Sequence, residues 1–186
     1  LTQTDLPAGQ KSGLSMAVCG IPWCNSDIGG FWGADTQSDY CRELIVRWFQ
    51  FGLFSPIMRL HGDRRRTKDQ PNPHPELMCK SGGPNEIWCF GDENYITIKK
   101  LIETREKLKP YIVKYMDIAS ETGSPIMRPM FYDFYEDETC YTLEDQYMFG
   151  SDILVAPVLE EGARERSVYL PAGAEWTDAY TKQTYS

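Results

Sequence analysis

Residues 21–31 have the sequence IPWCNSDIGGF, in which a short apolar run ends in an aspartate, a pair of glycines and an aromatic ring. A second apolar run, residues 54–60, leads into His61 and Gly62. In a parallel barrel, the C-terminal ends of the strands form the rim that carries the ligand-binding side chains. The two runs therefore predict two strands whose polar ends contribute to a pocket at the C-terminal rim of such a barrel.

Helices and strands alternate in the predicted pattern as far as residue 132. The predicted elements are, in order, a helix closing at 14–18, a strand at 21–24, a helix at 36–51, a strand at 54–60, a helix from Asp92 or Asn94 to Gly123, and a strand at 125–132. We expect Ser38 or Asp39 to cap the second helix, Gly52 to end it, and Pro110 to kink or restart the third. This alternation predicts an α/β fold with a parallel sheet.

The pattern changes near residue 151. Short strands are predicted at 152–158, 166–171 and 175–180, each separated from the next by turn residues. Closely spaced strands without intervening helices predict an all-β module. We therefore expect two parts, residues 1–150 and residues 151–186, with the second cut off at Ser186.

Composition and charge exclude some classes of partner. The 27 acidic residues outnumber the 19 basic ones, which gives a net charge of −8 and argues against nucleic acid or an anionic membrane surface as a partner. No apolar stretch approaches the roughly 18 residues that a membrane span needs. The N-terminal residues lack the features of a signal peptide and indicate the middle of a longer chain. Location stays open, although the lack of a disulfide pattern favours the cytoplasm.

The cysteines and the long loop predict neither a metal site nor a nucleic-acid site. The six cysteines include no Cys-x-x-Cys pair, so we expect free thiols and no zinc, other metal or cofactor. Residues 62–91 predict a long polar loop, which usually has a role such as rimming a site. The run of arginines at 64–66 predicts a solvated part of this loop. His74 is assigned no role.

Eight sequence elements together resemble glycoside hydrolase family 31, the α-glucosidase and α-xylosidase family. The elements, in order, are GIPW (20–23), DIGGF (27–31), RWFQFG (47–52), SPIMRLH (55–61), LKPY (108–111), RPM (128–130), QYMFG (146–150) and VAPV (155–158). The resemblance implies the C-terminal portion of a (β/α)8 TIM barrel followed by the first strands of a β-sandwich domain. It also implies a retaining, exo-acting α-glycosidase of carbohydrate metabolism, which acts on an oligosaccharide or glycoside substrate.

The resemblance assigns roles to residues at both strand ends. Asp27 is expected to hold a neighbouring arginine and accept sugar hydroxyls, Phe31 to line the sugar site, and His61 to hydrogen-bond the sugar. The alternatives are a turn-capping Asp27, a core Phe31 and a structural His61. Gly29 and Gly30 would shape the rim through their backbone alone.

Other residues of the resembling elements are expected to be structural. Arg59 and Arg128 would form ion pairs inside the barrel, rather than contact the substrate. Trp23 and Trp48 are predicted to lie in the core.

The resemblance places the catalytic residues elsewhere. Retaining glycosidases need two carboxyl groups about 5–5.5 Å apart, one as nucleophile and one as acid/base. In the family both precede the DIGGF element by more residues than lie between Leu1 and Asp27. We therefore expect both upstream of this chain and predict no catalytic residue within it; Asp5 lacks the neighbours of the family's acid.

Three functional alternatives stay open. The parent protein could be an α-glucan transglycosylase or lyase of the same family, or a sugar-binding module without catalysis, since fold does not imply function. The choice between glucoside and xyloside depends on whether the pocket admits the C6 hydroxymethyl group. Linkage preference and oligomeric state are also open.

Overall fold

The computed structural model describes residues 5–32, 35–64 and 82–186. The helices are α1 (Asp5–Val18), α2 (Asp39–Leu53), α3 (Asp92–Thr122) and α4 (Met130–Asp133), with 3-10 turns at Ile87–Phe90 and Glu138–Tyr141. The strands are β1 (Asp27–Ile28), β2 (Arg59–Leu60), β3 (Met127–Pro129), β4 (Tyr147–Phe149), β5 (Ile153–Val155), β6 (Trp176–Thr177) and β7 (Thr184–Tyr185). Among the residues described, none of the helices has both the length and the apolar character that a membrane crossing requires.

Helix α2 forms as its sequence predicts. The Ser38 side chain accepts a hydrogen bond from the Cys41 amide at 3.2 Å and so caps the first turn. The apolar stripe faces the core, and Trp48, expected there, is only 4% exposed. Gly52 does not end the helix, which continues to Leu53. A Cβ on Gly52 would lie 2.6 Å from Ile28 Cδ1, so this glycine lets α2 pack directly on β1.

Strands β1 and β2 form a short parallel pair in which Asp27 lies opposite Arg59 and Ile28 opposite Leu60. The strand predicted at residues 21–24 is wrong, and only the end of the predicted run at 54–60 is a strand. Pro22 and Pro56 have no amide hydrogen to donate to a ladder. Before β1, the Ile57 amide donates to the Cys24 carbonyl at 3.3 Å. The two segments thus approach each other before the strands begin, but they pair regularly only at their polar ends.

Helix α3 spans 31 residues and runs through Pro110 without restarting. Its Arg105 side chain holds the connection between α2 and β2 by donating to the carbonyls of Leu53, Ser55 and Pro56 at 2.7, 2.7 and 2.8 Å. Burial lowers the pKa of Arg105 to about 10. This arginine therefore sets the path of the chain into β2.

The second sheet is antiparallel, with strand order β3–β4–β5. The run at 125–132 gives β3 and then the single turn α4, and β3 does not extend the parallel pair. Tyr147 in β4 is fully buried, and its hydroxyl donates to the Phe54 carbonyl at 2.9 Å. This bond links the antiparallel sheet to the segment that leads into β2.

The C-terminal residues contain fewer strands than predicted. Of the three expected runs, 152–158 contains β5 and 175–180 contains β6, whereas 166–171 has no regular structure. Side chains hold this last segment in place instead of a ladder. Gln146 bonds to both the amide and the carbonyl of Tyr169, at 2.9 and 2.7 Å, and Arg166 pairs with Asp145 at 2.7 Å.

Burial in the core differs from expectation at one tryptophan. A large apolar cluster joins α1, α2 and α3 to β1, β4 and β5. Trp23 was predicted in this core but is 45% exposed, because the irregular segment before β1 lets its side chain face outward.

The predicted ion pair of Arg128 is present, with Asp133 at 3.2 Å. Five cysteines are free, as expected, and Cys79 lies outside the described residues.

Substituting Gly150 by alanine should destabilise the protein more than the same change at Gly123. Both glycines have left-handed backbones, with φ of +65° and +77°. A Cβ on Gly150 would overlap the Tyr111 hydroxyl and lie 2.7 Å from Tyr115 Cε2, whereas nothing lies within 4 Å at Gly123. We expect about 1–3 kcal/mol of additional destabilisation for Gly150→Ala, measured by urea denaturation of the intact protein. Equal denaturation midpoints for the two variants would contradict the packing described for Gly150.

Candidate functional site

A glycine bend at the end of β1 turns the chain toward the site. Gly29 and Gly30 have φ of +84° and +71°, consecutive left-handed conformations that side chains disfavour. The Gly30 amide donates to the Asp27 carbonyl at 2.7 Å and closes the turn. The bend therefore directs the chain from Asp27 to Phe31, as the sequence predicted for these glycines.

Asp27 and Arg59 form an ion pair across the two parallel strands. Arg59 Nη2 lies 2.7 Å from Asp27 Oδ1, and the two residues are direct neighbours in the register. The Arg59 side chain is 53% exposed and that of Asp27 is 26% exposed. An ion pair with this exposure stabilises a fold by about 0–1 kcal/mol, so its main effect is to orient the carboxylate.

Phe31 and His61 meet at the ends of these strands. Their ring centroids are 5.4 Å apart, and both side chains are exposed. Phe31 also contacts Trp32 edge to face, at 4.9 Å between centroids. The Asp63 amide donates to the Phe31 carbonyl at 2.6 Å, and Trp32 forms a parallel bridge with Asp63. The strand pairing thus continues beyond the bend and brings the two predicted sugar-binding rings together.

Arg64 is buried, which corrects its prediction as part of a solvated loop. Only 2% of this residue is exposed, and its two terminal nitrogens donate to the carbonyls of Gly30 and Gly29 at 2.9 and 3.0 Å. Burial lowers the pKa of the Arg64 guanidinium from its ordinary value. Arg65, Arg66 and His74 lie outside the described residues. A run of arginines normally indicates exposure to solvent, so no sequence signal pointed to this contact.

A cavity of about 480 Å³ opens beside the bend. This volume lies within the range of small-molecule pockets. Asp27, Gly30 and Phe31 contribute to its wall, and the remaining described lining residues are Gly9, Ser12, Gly13, Met16, Cys24, Asn25, Ser26, Trp32, Trp48, Phe51, Ser55 and Met127. His61 and Arg59 are not among these lining residues. His61 contacts Phe31 and Arg59 contacts Asp27, and both of those residues line the cavity.

Part of the cavity wall comes from residues that were not predicted as site residues. Trp48 donates through Nε1 to Ser26 Oγ at 2.9 Å, which ties the segment before β1 to helix α2. Gly13 of α1 faces Cys24, and a Cβ added there would lie 3.4 Å from Cys24 Sγ. Small residues on α1 therefore leave room for the cavity, and Trp48 has a polar role in addition to its place in the core.

The chemical groups around the cavity suit binding of a polyhydroxylated ligand. Among the described lining residues, Asp27 is the one carboxylate, beside serine and asparagine side chains and aromatic rings. A retaining glycosidase needs a pair of carboxyl groups, and the described lining residues do not supply that pair. Within the described ranges, no three His, Cys, Asp or Glu side chains group in a way that could hold a metal ion.

Two family models match the chain. Residues 2–115 match the model described as the TIM-barrel domain of glycosyl hydrolases family 31, and residues 123–186 match the glycosyl hydrolase family 31 C-terminal domain. The fold is accordingly α/β, with a TIM-barrel portion followed by a sheet domain.

Curated relatives and solved structures agree with these matches. An α-xylosidase of Saccharolobus solfataricus is 36% identical over 95% of this chain and 22% of its own length. α-Glucosidase 2 of Bacillus thermoamyloliquefaciens is 34% identical over 96% of this chain and 19% of its own. The crystal structure of a family 31 α-xylosidase from a soil metagenome, complexed with xylose, has a TM-score of 0.89 and 44% identity, covering 98% of this chain and 27% of that one.

The chain spans about a fifth of the length of the curated relatives it matches. The family models together match nearly all of it, and the TIM-barrel model alone matches more than half. The resemblance drawn from the eight sequence elements is confirmed, and the chain belongs to glycosyl hydrolase family 31.

Proposed function

We propose that this chain is part of a retaining, exo-acting α-glycosidase that hydrolyses α-glucosides or α-xylosides. The observation that carries the proposal is the parallel pairing of β1 with β2, which brings Asp27, Phe31 and His61 together beside the cavity. Relatives in the same family are named α-xylosidase and α-glucosidase, and one solved relative is complexed with xylose.

The geometry supports a division of roles among the site residues. Phe31 offers an exposed ring at the cavity wall, which suits the apolar face of a sugar. The Asp27 carboxylate, oriented by Arg59, accepts hydrogen bonds from ring hydroxyls. His61, beside Phe31, forms a hydrogen bond to the sugar through a ring nitrogen. Gly29 and Gly30 shape the rim.

The proposal assigns the chemical steps to residues outside this chain. Two carboxyl groups, one nucleophile and one acid/base, would face the cavity from other barrel strands. Residues 1–150 would form the C-terminal portion of a (β/α)8 barrel, and residues 151–186 the first strands of a β-sandwich. The boundary at residue 151 stays a prediction.

Assays of the full-length protein test the function. We expect hydrolysis of an aryl α-xyloside or α-glucoside, with the α-anomer as the first product seen by proton NMR, because two displacements retain configuration. The ratio of the two rates decides between xyloside and glucoside. A disaccharide product would indicate transglycosylation and an unsaturated sugar would indicate a lyase. Sugar binding without turnover of any substrate would contradict the enzymatic proposal.

His61→Ala in the full-length protein should lower kcat/KM by about a hundredfold, which corresponds to about 2.7 kcal/mol. The expected cause is the loss of a hydrogen bond that strengthens in the transition state. Because His61 is exposed, the melting temperature should change little.

Tyr141→Ala is a matched control for His61→Ala. Tyr141 is also exposed and its ring stacks on Phe131 at 5.2 Å, away from the residues that line the cavity. We expect this variant to retain wild-type kcat/KM. A His61→Ala enzyme with near-normal kinetics and a much lower melting temperature would assign His61 a structural role.

Asp27→Asn should reduce kcat/KM by about tenfold to a hundredfold, because a hydrogen bond to a charged acceptor contributes about 1.5–3 kcal/mol. Stability should change by less than about 1 kcal/mol, since Arg59 is half exposed and stays solvated.

Asp145→Asn is the control for the ion pair alone. Asp145 contacts Arg166 at the same distance of 2.7 Å but takes no part in the cavity wall. Steady-state kinetics and thermal denaturation of both variants make the comparison. If both variants lost activity equally, Asp27 would have no specific role in binding the substrate.

A further inference from the structure

Arg64 is the buried cation closest to the bend that bears the site. Its guanidinium donates to the adjacent carbonyls of Gly30 and Gly29 at 2.9 and 3.0 Å. We propose that Arg64 is a positioning residue, which fixes the glycine bend and through it holds Asp27 and Phe31 in the geometry that the substrate requires. This inference rests on the proposed function.

The bend needs an external constraint. Two consecutive glycines have more backbone freedom than any other pair of residues, and a bend built from them can relax in several directions. Within the turn itself, the backbone supplies the bond from the Gly30 amide to the Asp27 carbonyl. The carbonyls of both glycines are turned toward Arg64 instead of a neighbouring strand. Arg64 therefore sets the orientation of the two peptide groups that follow Gly29 and Gly30.

The contact requires the shape of arginine in particular. The guanidinium is planar and presents several donors in a fixed fork, so two terminal nitrogens can reach two adjacent carbonyls at once. A lysine has one nitrogen on a flexible stem and cannot reproduce this spacing. The group also fits tightly, since a Cβ on Gly29 would lie 2.8 Å from Nη2 and one on Gly62 2.6 Å from Nη1.

Arg64 connects the two segments that carry the site residues. It lies three residues after His61, in the extension of β2, and its acceptors lie just after β1. Both acceptors that the structure describes are main-chain carbonyls, and the Nε atom is buried without a partner. A cation kept under a backbone bend with one donor unpaired is a costly way to stabilise a fold. We therefore infer that Arg64 is kept there because it fixes the position of the bend.

The test compares Arg64→Lys with Arg166→Lys in the full-length protein. Arg166 is a matched control because it also donates to two main-chain carbonyls, of Asp145 and Pro157, at 2.6 and 2.8 Å. We expect Arg64→Lys to lower kcat/KM by at least about tenfold, because small displacements of substrate-positioning groups are costly. Arg166→Lys should stay within about twofold of wild type, as expected for a substitution outside the site.

Chemical rescue separates positioning from general stability. Arg64→Ala leaves a space of guanidinium size beneath the bend, and guanidinium chloride at about 10 mM is far below denaturing concentrations. We expect the salt to restore part of the lost kcat/KM of Arg64→Ala, whereas sodium chloride and methylammonium chloride should not. If Arg64→Ala does not fold, the Arg64→Lys comparison decides alone.

Crystal structures of wild type and Arg64→Lys give a readout that does not depend on activity. The proposal predicts a shifted Gly29–Gly30 bend and a changed Phe31–His61 contact in the variant. If the wild type hydrolyses no α-glycoside, the proposed function fails while this structural arm still tests Arg64. An unchanged bend, or kcat/KM within twofold of wild type for Arg64→Lys, overturns the inference. Failure of both Arg64→Lys and Arg64→Ala to fold overturns the inference too, because Arg64 would then be required by the fold as a whole.

Discussion

The parallel register between β1 and β2 is the constraint on which the site depends. Only two residue pairs form this ladder, yet they set Asp27 beside Arg59 and, one bend later, Phe31 beside His61. Ile28 stabilises this register, because its side chain is fully buried and packs against Gly52 of α2. A slip of one residue would turn Ile28 outward and Asp27 into the core, so burial of a single apolar side chain selects the register that brings the candidate site residues together.

Arginine side chains bind main-chain carbonyls at several points where regular pairing ends. Arg105 holds the connection into β2, Arg64 holds the bend after β1, and Arg166 holds the segment after β5. Such segments have carbonyl groups that a ladder would otherwise satisfy. A guanidinium can bond to several carbonyls that face one point, which a strand cannot do. The strands here are short, and these arginine side chains satisfy main-chain carbonyls that a longer strand pairing would otherwise satisfy.

The parts of the fold that the sequence predicted are those governed by local periodicity. The amphipathic stripe and cap of α2 define that helix, and the polar ends of the two runs indicate where the site residues gather. Contacts determined by the tertiary structure could not be read in the same way. Arg64 looks like its neighbours in a charged run, and Trp23 looks apolar enough for the core. A proline usually interrupts a helix, but α3 continues through Pro110.

The hydrogen bond between the Tyr147 hydroxyl and the Phe54 carbonyl crosses from the antiparallel sheet to the chain that enters β2. It spans 93 positions of sequence and joins segments matched by two different family models. Chimeric enzymes that exchange the C-terminal module between family members would therefore need a tyrosine at this position in the donated half. Without one, the recombined protein would have a partly buried carbonyl with no donor in the segment that leads into β2 and His61.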